Sequence, residues 1–380
     1  MTRIPTGLAA VGAAAALLAL AGCGGSDDTA QTGGGGPIAI TASDDSCGVA
    51  RNTADAGTIT FEVTNKGQRV TEFYLYAEGD RIMGEVENVA PGLTRRLIVE
   101  VPEAGRYQTA CKPGMQGKGI RGDFTVSGQA TKQVDSDAKL AEAAKSYQRY
   151  VNSQADALLT RTTEFVDAVK AGEVEDAKAL FPVARTYWER IEPVAESFGD
   201  LDPRIDGREA DLEAGQEFTG YHRLEKDLWV SGLQADSPAT ADRLLTDVNE
   251  IVTRAKAVEL TPLQLANGAK ELLDEVATGK ITGEEDAFSH TDLWDFRANV
   301  DGSRAAIAAL RPTIEERKAD LLTTLDAAFA AVDAVLEKHR RGDGFALYTD
   351  LTEADVKEMA AVVDALGEPI SSVAEVVVSP

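Results

Sequence analysis

The 380-residue chain reads as a multidomain protein, an all-β Greek-key sandwich followed by an all-α bundle of about eight helices. Three observations carry that reading. Residues 37–128 hold about seven short β-prone runs, each closed by a turn signal. From residue 136 onward Ala, Leu, Glu, Lys and Asp dominate, with apolar residues at helical spacing. The length also suits two domains better than one.

Taken in order, the first 22 residues form an address. Arg3 supplies a small positive region, and an Ala/Leu-rich run over 8–20 is too short to span a bilayer comfortably. The run ends in Leu20-Ala21-Gly22-Cys23, which resembles a bacterial lipobox. That resemblance implies lipidation of Cys23 and anchoring outside the cytoplasm, on the cell membrane. The Gly/Ser/Asp-rich stretch 23–36 then reads as a flexible tether.

The sandwich spans 37–128. Its β-prone runs lie at 38–41, 58–63, 71–77, 95–101 and 123–126, and Asn65-Lys66-Gly67, Pro91-Gly92 and Glu103-Ala104-Gly105 mark turns between them. Cys47 and Cys111 fall in this region, and two cysteines in one extracytoplasmic domain are a disulfide candidate.

The helical domain spans 136–375. Tyr147, Val151, Ala155, Leu158, Thr162, Phe165 and Val169 form one face of a long first helix that Gly172 should end. Further helices are expected near 174–198, 214–230, 239–257, 262–278, 290–310, 313–340 and 352–367, grouped as two four-helix units. Pro182 and Pro193 should bend the second.

Net charge is −25, which excludes nucleic acid and anionic lipid surfaces as natural partners and favours cations. Histidine is scarce, with three in the chain. His222 precedes Glu225 by three positions in a helical context, so both point at one spot. An imidazole and a carboxylate on one point suit a borderline cation such as iron or zinc. In the preceding helix Glu189 and Glu192 repeat the spacing, and antiparallel packing would bring the two pairs together across the bundle, with Asp206 closing one side. Residues 282–296 add Glu285 beside a second histidine, His290, and several aromatics. Asp292 there reads equally well as a helix cap, and His339 reads as a helix end.

The stretches Arg190-Ile191-Glu192-Pro193, Phe218 through Glu225 and Ile281 through Phe296 resemble the imelysin-like domain of the EfeO family, and the resemblance extends over nearly the whole mature chain, including a cupredoxin-like first domain. It implies an extracytoplasmic iron-binding component that hands iron to a membrane permease, alongside a haem-dependent peroxidase. The family's H-x-x-E motif falls on His222 and Glu225, and its acidic cluster on Glu189, Glu192, Asp206 and Glu285. Carboxylates with one imidazole suit Fe(III) best, with Fe(II) or zinc as further fits.

In the first domain Cys111-Lys112-Pro113-Gly114-Met115 resembles a cupredoxin ligand loop, with Met115 standing where the histidine belongs. No histidine precedes His222, so a two-histidine blue-copper centre is excluded. The family resemblance implies a copper or second iron site on Cys47, Glu72 and Cys111; a Cys47–Cys111 disulfide is the structural alternative. For the helical site the competing function is a metal-dependent peptidase or hydrolase. Arg223 follows His222 where H-E-x-x-H needs glutamate, and Lys226 stands where H-x-x-E-H needs its last histidine, so neither zinc-peptidase motif is present.

Overall fold

A computed structural model describes residues 36–129, 137–212 and 215–379. The leader, Cys23 and the tether up to residue 35 lie outside the described residues.

The first domain is a sandwich of nine strands. One sheet has the order β2 (Cys47–Val49), β1 (Ile38–Ala42), β4 (Gly57–Asn65), β7 (Thr94–Val101). The other has the order β3 (Thr53–Asp55), β9 (Ile120–Ser127), β8 (Gly105–Pro113), β5 (Thr71–Tyr76), β6 (Ile82–Val89). Only β1–β2, β5–β6 and β8–β9 are sequential neighbours within a sheet; every other connection crosses to the opposite sheet. β1 runs parallel to β4 and β3 to β9.

Alternation explains the core. On β4, Ile59, Phe61 and Val63 face inward, and they sit beside Val99, Leu97 and Arg95 in register on β7. Phe61 stands 5.1 Å from Phe73 and 5.5 Å from Phe124 by ring centroid. Cys47 on β2 and Cys111 on β8 form a disulfide that joins the two sheets through this core. β5 is buried on both faces: Phe73 and Leu75 enter the sandwich, while Tyr74 and Tyr76 stack on the other side at 5.3 Å.

The helices follow. α1 (Ala138–Ala171) is capped by Asp137, whose side chain accepts the N–H groups of Lys139 and Leu140, and ends at Gly172 in the left-handed conformation. The expected 174–198 helix is divided into α2 (Val174–Glu189) and α3 (Glu192–Glu196). Pro193 offers no N–H to continue the ladder, and the Arg190 carbonyl turns against Gly302, where a Cβ would sit 2.5 Å away. After α4 (Asp202–Ile205) comes α5 (Gly220–Lys226), which starts later than expected and runs into a π-helical turn over Asp227–Ser231.

Next are α6 (Ser237–Ala257), α7 (Pro262–Thr278) and α8 (Asp292–Lys338), then a short hairpin of β10 (Arg340–Arg341) and β11 (Gly344–Phe345), and finally α9 (Glu353–Ile370) and α10 (Val373–Val378). The sequence reading divides α8 near Pro312; the structure does break it, but at Lys318. Pro312 lies inside the helix, between the buried Leu310 and the buried Thr313 and Ile314, and the backbone leaves helical geometry only at Lys318. Packing on both sides of the proline outweighs its cost of about 3 kcal/mol.

The helices also share one apolar core rather than forming two separate four-helix units. The long α1 and α8 run through it from end to end. Ile98 of β7 joins that core, and its carbonyl accepts a hydrogen bond from Asn267 of α7 at 2.9 Å. No helix among the described residues is long and apolar enough to cross a membrane.

Candidate metal centre

The site lies where α2, α3, the end of α4, α5 and the start of α8 meet. α5 is positioned by a backbone approach that only glycine permits. Gly220 has φ +79°, and a Cβ there would lie 2.1 Å from the Ile205 carbonyl oxygen. Thr219 donates to the Arg204 carbonyl, and the hydroxyls of Tyr221 and Thr162 share a 2.6 Å hydrogen bond. With Tyr221 and Leu224 fixed in the core, His222 and Glu225 face the same way, as their spacing demands.

His222 Nδ1 lies 3.0 Å from Glu225 Oε2. Its Nε2 lies 3.5 Å from Asp206 and 3.6 Å from Glu285, too long for hydrogen bonds, and this buried nitrogen has no partner. The other oxygen of Glu225 accepts the backbone N–H groups of Phe288 and Ser289 at 3.0 and 2.7 Å. That turn is set by His290, which adopts φ +62°; its N–H bonds to the Asp286 carbonyl. His290 therefore shapes the loop instead of offering a ligand. Asp292 accepts the Asp286 N–H and supports the same loop.

The predicted acids converge. Asp206, Glu225, Glu285 and Asp286 lie within 4.0 Å of His222. Glu189, Glu192 and Asp295 extend the cluster through Asp206 and Glu285. Four sets of three side chains have ligand atoms within 4.8 Å of one another: Asp206, His222 and Glu285; His222, Glu225 and Asp286; Glu189, Glu285 and Asp295; Glu189, Glu192 and Asp206.

Sequence reasoning missed the cations inside this cage. The fully buried Arg185 is paired with Glu189 and Asp206, with Glu285 at 2.8 Å, Asp295 at 3.1 Å and Asp286 at 3.3 Å. Lys280, equally buried, lies 2.8 Å from Glu189 and 3.0 Å from Glu192. Asn299 of α8 donates to Glu189 and Glu192. A legible trace of Arg185 existed: it stands four residues before Glu189, on the face of α2 that carries Phe181 and Trp188. Nothing local marks Lys280.

These charges tune one another. Burial and Arg185 disfavour the imidazolium of His222, but Glu225, Glu285 and Asp206 outweigh them and push its pKa up to about 10. Burial raises Glu285, yet Lys280, His222, Arg185 and Arg208 together hold it well below the usual carboxylate range. Burial drives Glu192, Asp286 and Asp295 well above that range. The acids of the cage outnumber Arg185 and Lys280, so, with the protons of His222 and the raised acids displaced, it suits an added cation of hard to borderline character bound by oxygen and one imidazole. A cleft of about 570 Å³ adjoins it, lined by Glu192, Asp206, Arg208, Glu275 and Glu285 and by Gly117 and Lys118 of the sandwich.

The second predicted site is not assembled. Cys47 and Cys111 are joined in the sandwich core. Glu72 pairs in register with Lys112, one residue beyond Cys111, so its side chain leaves the opposite face of the sheet, where it meets Tyr74 and Lys112. The alternation of a strand separates residues that sequence proximity seemed to unite.

The comparisons agree with this architecture. The cupredoxin-like domain model matches residues 10–126, and the imelysin model, which carries a peptidase family name, matches residues 143–373. The iron uptake system component EfeO of Escherichia coli O157:H7 is 39% identical over 340 residues, covering 88% of this chain and 89% of its own length. The EfeO proteins of E. coli K12 and Shigella flexneri are each 38% identical over the same shares. With both domains matched in this order and identity running through nearly nine-tenths of its length, the chain belongs to the EfeO family.

Proposed function

We propose that the chain is the extracytoplasmic metal-binding component of an iron-uptake system, capturing iron at the His222 cage and delivering it to a membrane permease. The observation that carries this reading is the convergence of one imidazole and carboxylates from several elements, with more acids than fixed cations. The relatives' name, iron uptake system component, supports iron as the cargo. Fe(III) matches the oxygen-rich donor set best, with Fe(II) or zinc also accommodated. A haem-dependent peroxidase belongs to the same proposal as a partner, as does a lipid anchor on Cys23. Copper on the sandwich would require the Cys47–Cys111 bond to be reduced and a third ligand other than Glu72.

Titration of the soluble chain with iron tests the reading: one tight ion per chain, lost in the His222→Ala/Glu225→Ala variant, supports it. Unchanged binding in that variant sinks it.

A metal-dependent hydrolase is the second reading, favoured by a cleft larger than a bare ion needs. Against it, Arg223 and Lys226 occupy the positions where the zinc-peptidase motifs need glutamate and histidine. Metal-dependent cleavage of a peptide library would establish it; stoichiometric binding without turnover favours the carrier.

A further inference from the structure

We infer that Arg185 is the resident counter-ion of the cage, holding its carboxylates together in the metal-free protein and competing with the incoming ion for them, so that it sets the affinity of the site. The inference rests on the metal-binding reading above. Its starting point is geometric: every one of the four ligand sets contains at least one carboxylate paired with Arg185. In the set Glu189, Glu285 and Asp295 all three are its partners. An ion bound at any set must therefore share or take a carboxylate from the guanidinium.

Arg185 has nowhere to go. It is fully buried, and its guanidinium lies 5.9 Å from the ring centres of both Phe181 and Tyr221. Guanidinium does not deprotonate in proteins, so its charge stays in the cage through loading and release. Its five carboxylate partners come from α2, the end of α4, the 279–291 connection and α8, so one side chain fastens elements far apart in sequence. Without that charge the same acids would repel one another in a poorly screened interior. With it, the metal-free cage keeps its shape, and the bound metal faces a fixed cation. Lys280 contrasts with it, pairing with Glu189 and Glu192 and leaving the His222, Glu225 and Asp286 set untouched.

A purely structural role and a counter-ion role predict opposite changes in affinity. In Arg185→Gln, the counter-ion role predicts a lower melting temperature for the metal-free chain. It also predicts Fe(II) binding under argon about tenfold tighter or more than wild type, because a repelling unit charge is gone. The melting-temperature rise on adding Fe(II) should likewise exceed that of wild type. Arg185→Lys, which keeps the charge, should bind within about threefold of wild type. Equal or weaker binding by Arg185→Gln overturns the inference, because loss of a mere scaffold damages the site. Should metal-free Arg185→Gln fail to fold, refolding in Fe(II) is expected to recover soluble, folded protein, and failure of that rescue also overturns it. Absence of both Fe(II) and Fe(III) binding in wild type defeats the metal-site reading itself, whereas wild-type binding without a gain in Arg185→Gln defeats only the role of Arg185.

Discussion

The two domains have cores of opposite composition. The sandwich is filled by Phe61, Phe73, Phe124 and aliphatic neighbours, closed by a disulfide, and contributes no imidazole or carboxylate to its interior. The helical domain has a large apolar core too, but sets a cage of acids, Arg185, Lys280 and His222 within it. An apolar core is stable because water has left it; a charged one is stable only while each charge keeps its partner. A site that takes up and releases an ion belongs in the second kind, since exchanging one partner for another is what binding there means.

The comparison breaks most sharply at His222 and Glu225. Removing both side chains should weaken iron binding by roughly a thousandfold or more, since an imidazole and a doubly anchored carboxylate are lost together. The disulfide-closed sandwich should keep its own near-ultraviolet dichroism. The reverse experiment is Cys47→Ser/Cys111→Ser. It opens a covalent loop with a sequence separation of 64 and should cost about 4 kcal/mol of stability in a denaturant titration. Iron affinity in the folded protein should stay unchanged; a large fall in affinity would mean the two cores are coupled.

Acidity sharpens the contrast. His222 holds its proton up to about pH 10 in the metal-free protein, and a metal needs a free ring nitrogen. Affinity should therefore rise with pH, by at least about tenfold per unit below that value, since the His222 proton is displaced. Competition with a chelator at pH 6, 7 and 8 measures the slope, and a flat profile removes His222 from the ligand set.

Between the domains, burial raises the carboxyl of Glu85 to about 8, with Lys112 opposing and Glu72 and Glu275 reinforcing the rise. A carboxyl raised from its ordinary 4.5 contributes stability fully present below pH 4.5 and lost as pH climbs through 8. Glu85→Gln should thus stabilise the protein at pH 9 by on the order of 1–3 kcal/mol and leave it unchanged near pH 4.5. Thermal melts at both values check this. The smallest effect is expected at the exposed Arg96–Glu375 pair joining β7 to α10, where Arg96→Ala should cost under about 1 kcal/mol.

Much of this was legible in the residues. Alternation and turn signals located the sandwich, helical spacing located α1 through Gly172, and the i, i+3 spacing of His222 and Glu225 placed those two side chains together. The failures share a cause. Pro312 signalled a break that packing around it shifts to Lys318, and Glu72 lay beside cysteines that pleating turns the other way. Lys280 was invisible, and Arg185 left only its place on the apolar face of α2 as a trace, because a lone basic residue on a helix or in a loop normally faces water. Only the assembled interior reveals that acids from several elements close around it.

The cleft between the domains has a consequence in time rather than affinity. Asp202, Asp211 and Glu275 line it beside the cage acids, and Lys118 of the sandwich lines it too. On the iron-carrier proposal, such a passage would gather cations from solution before any ligand atom is touched, and the speed of loading is expected to fall as ionic strength rises.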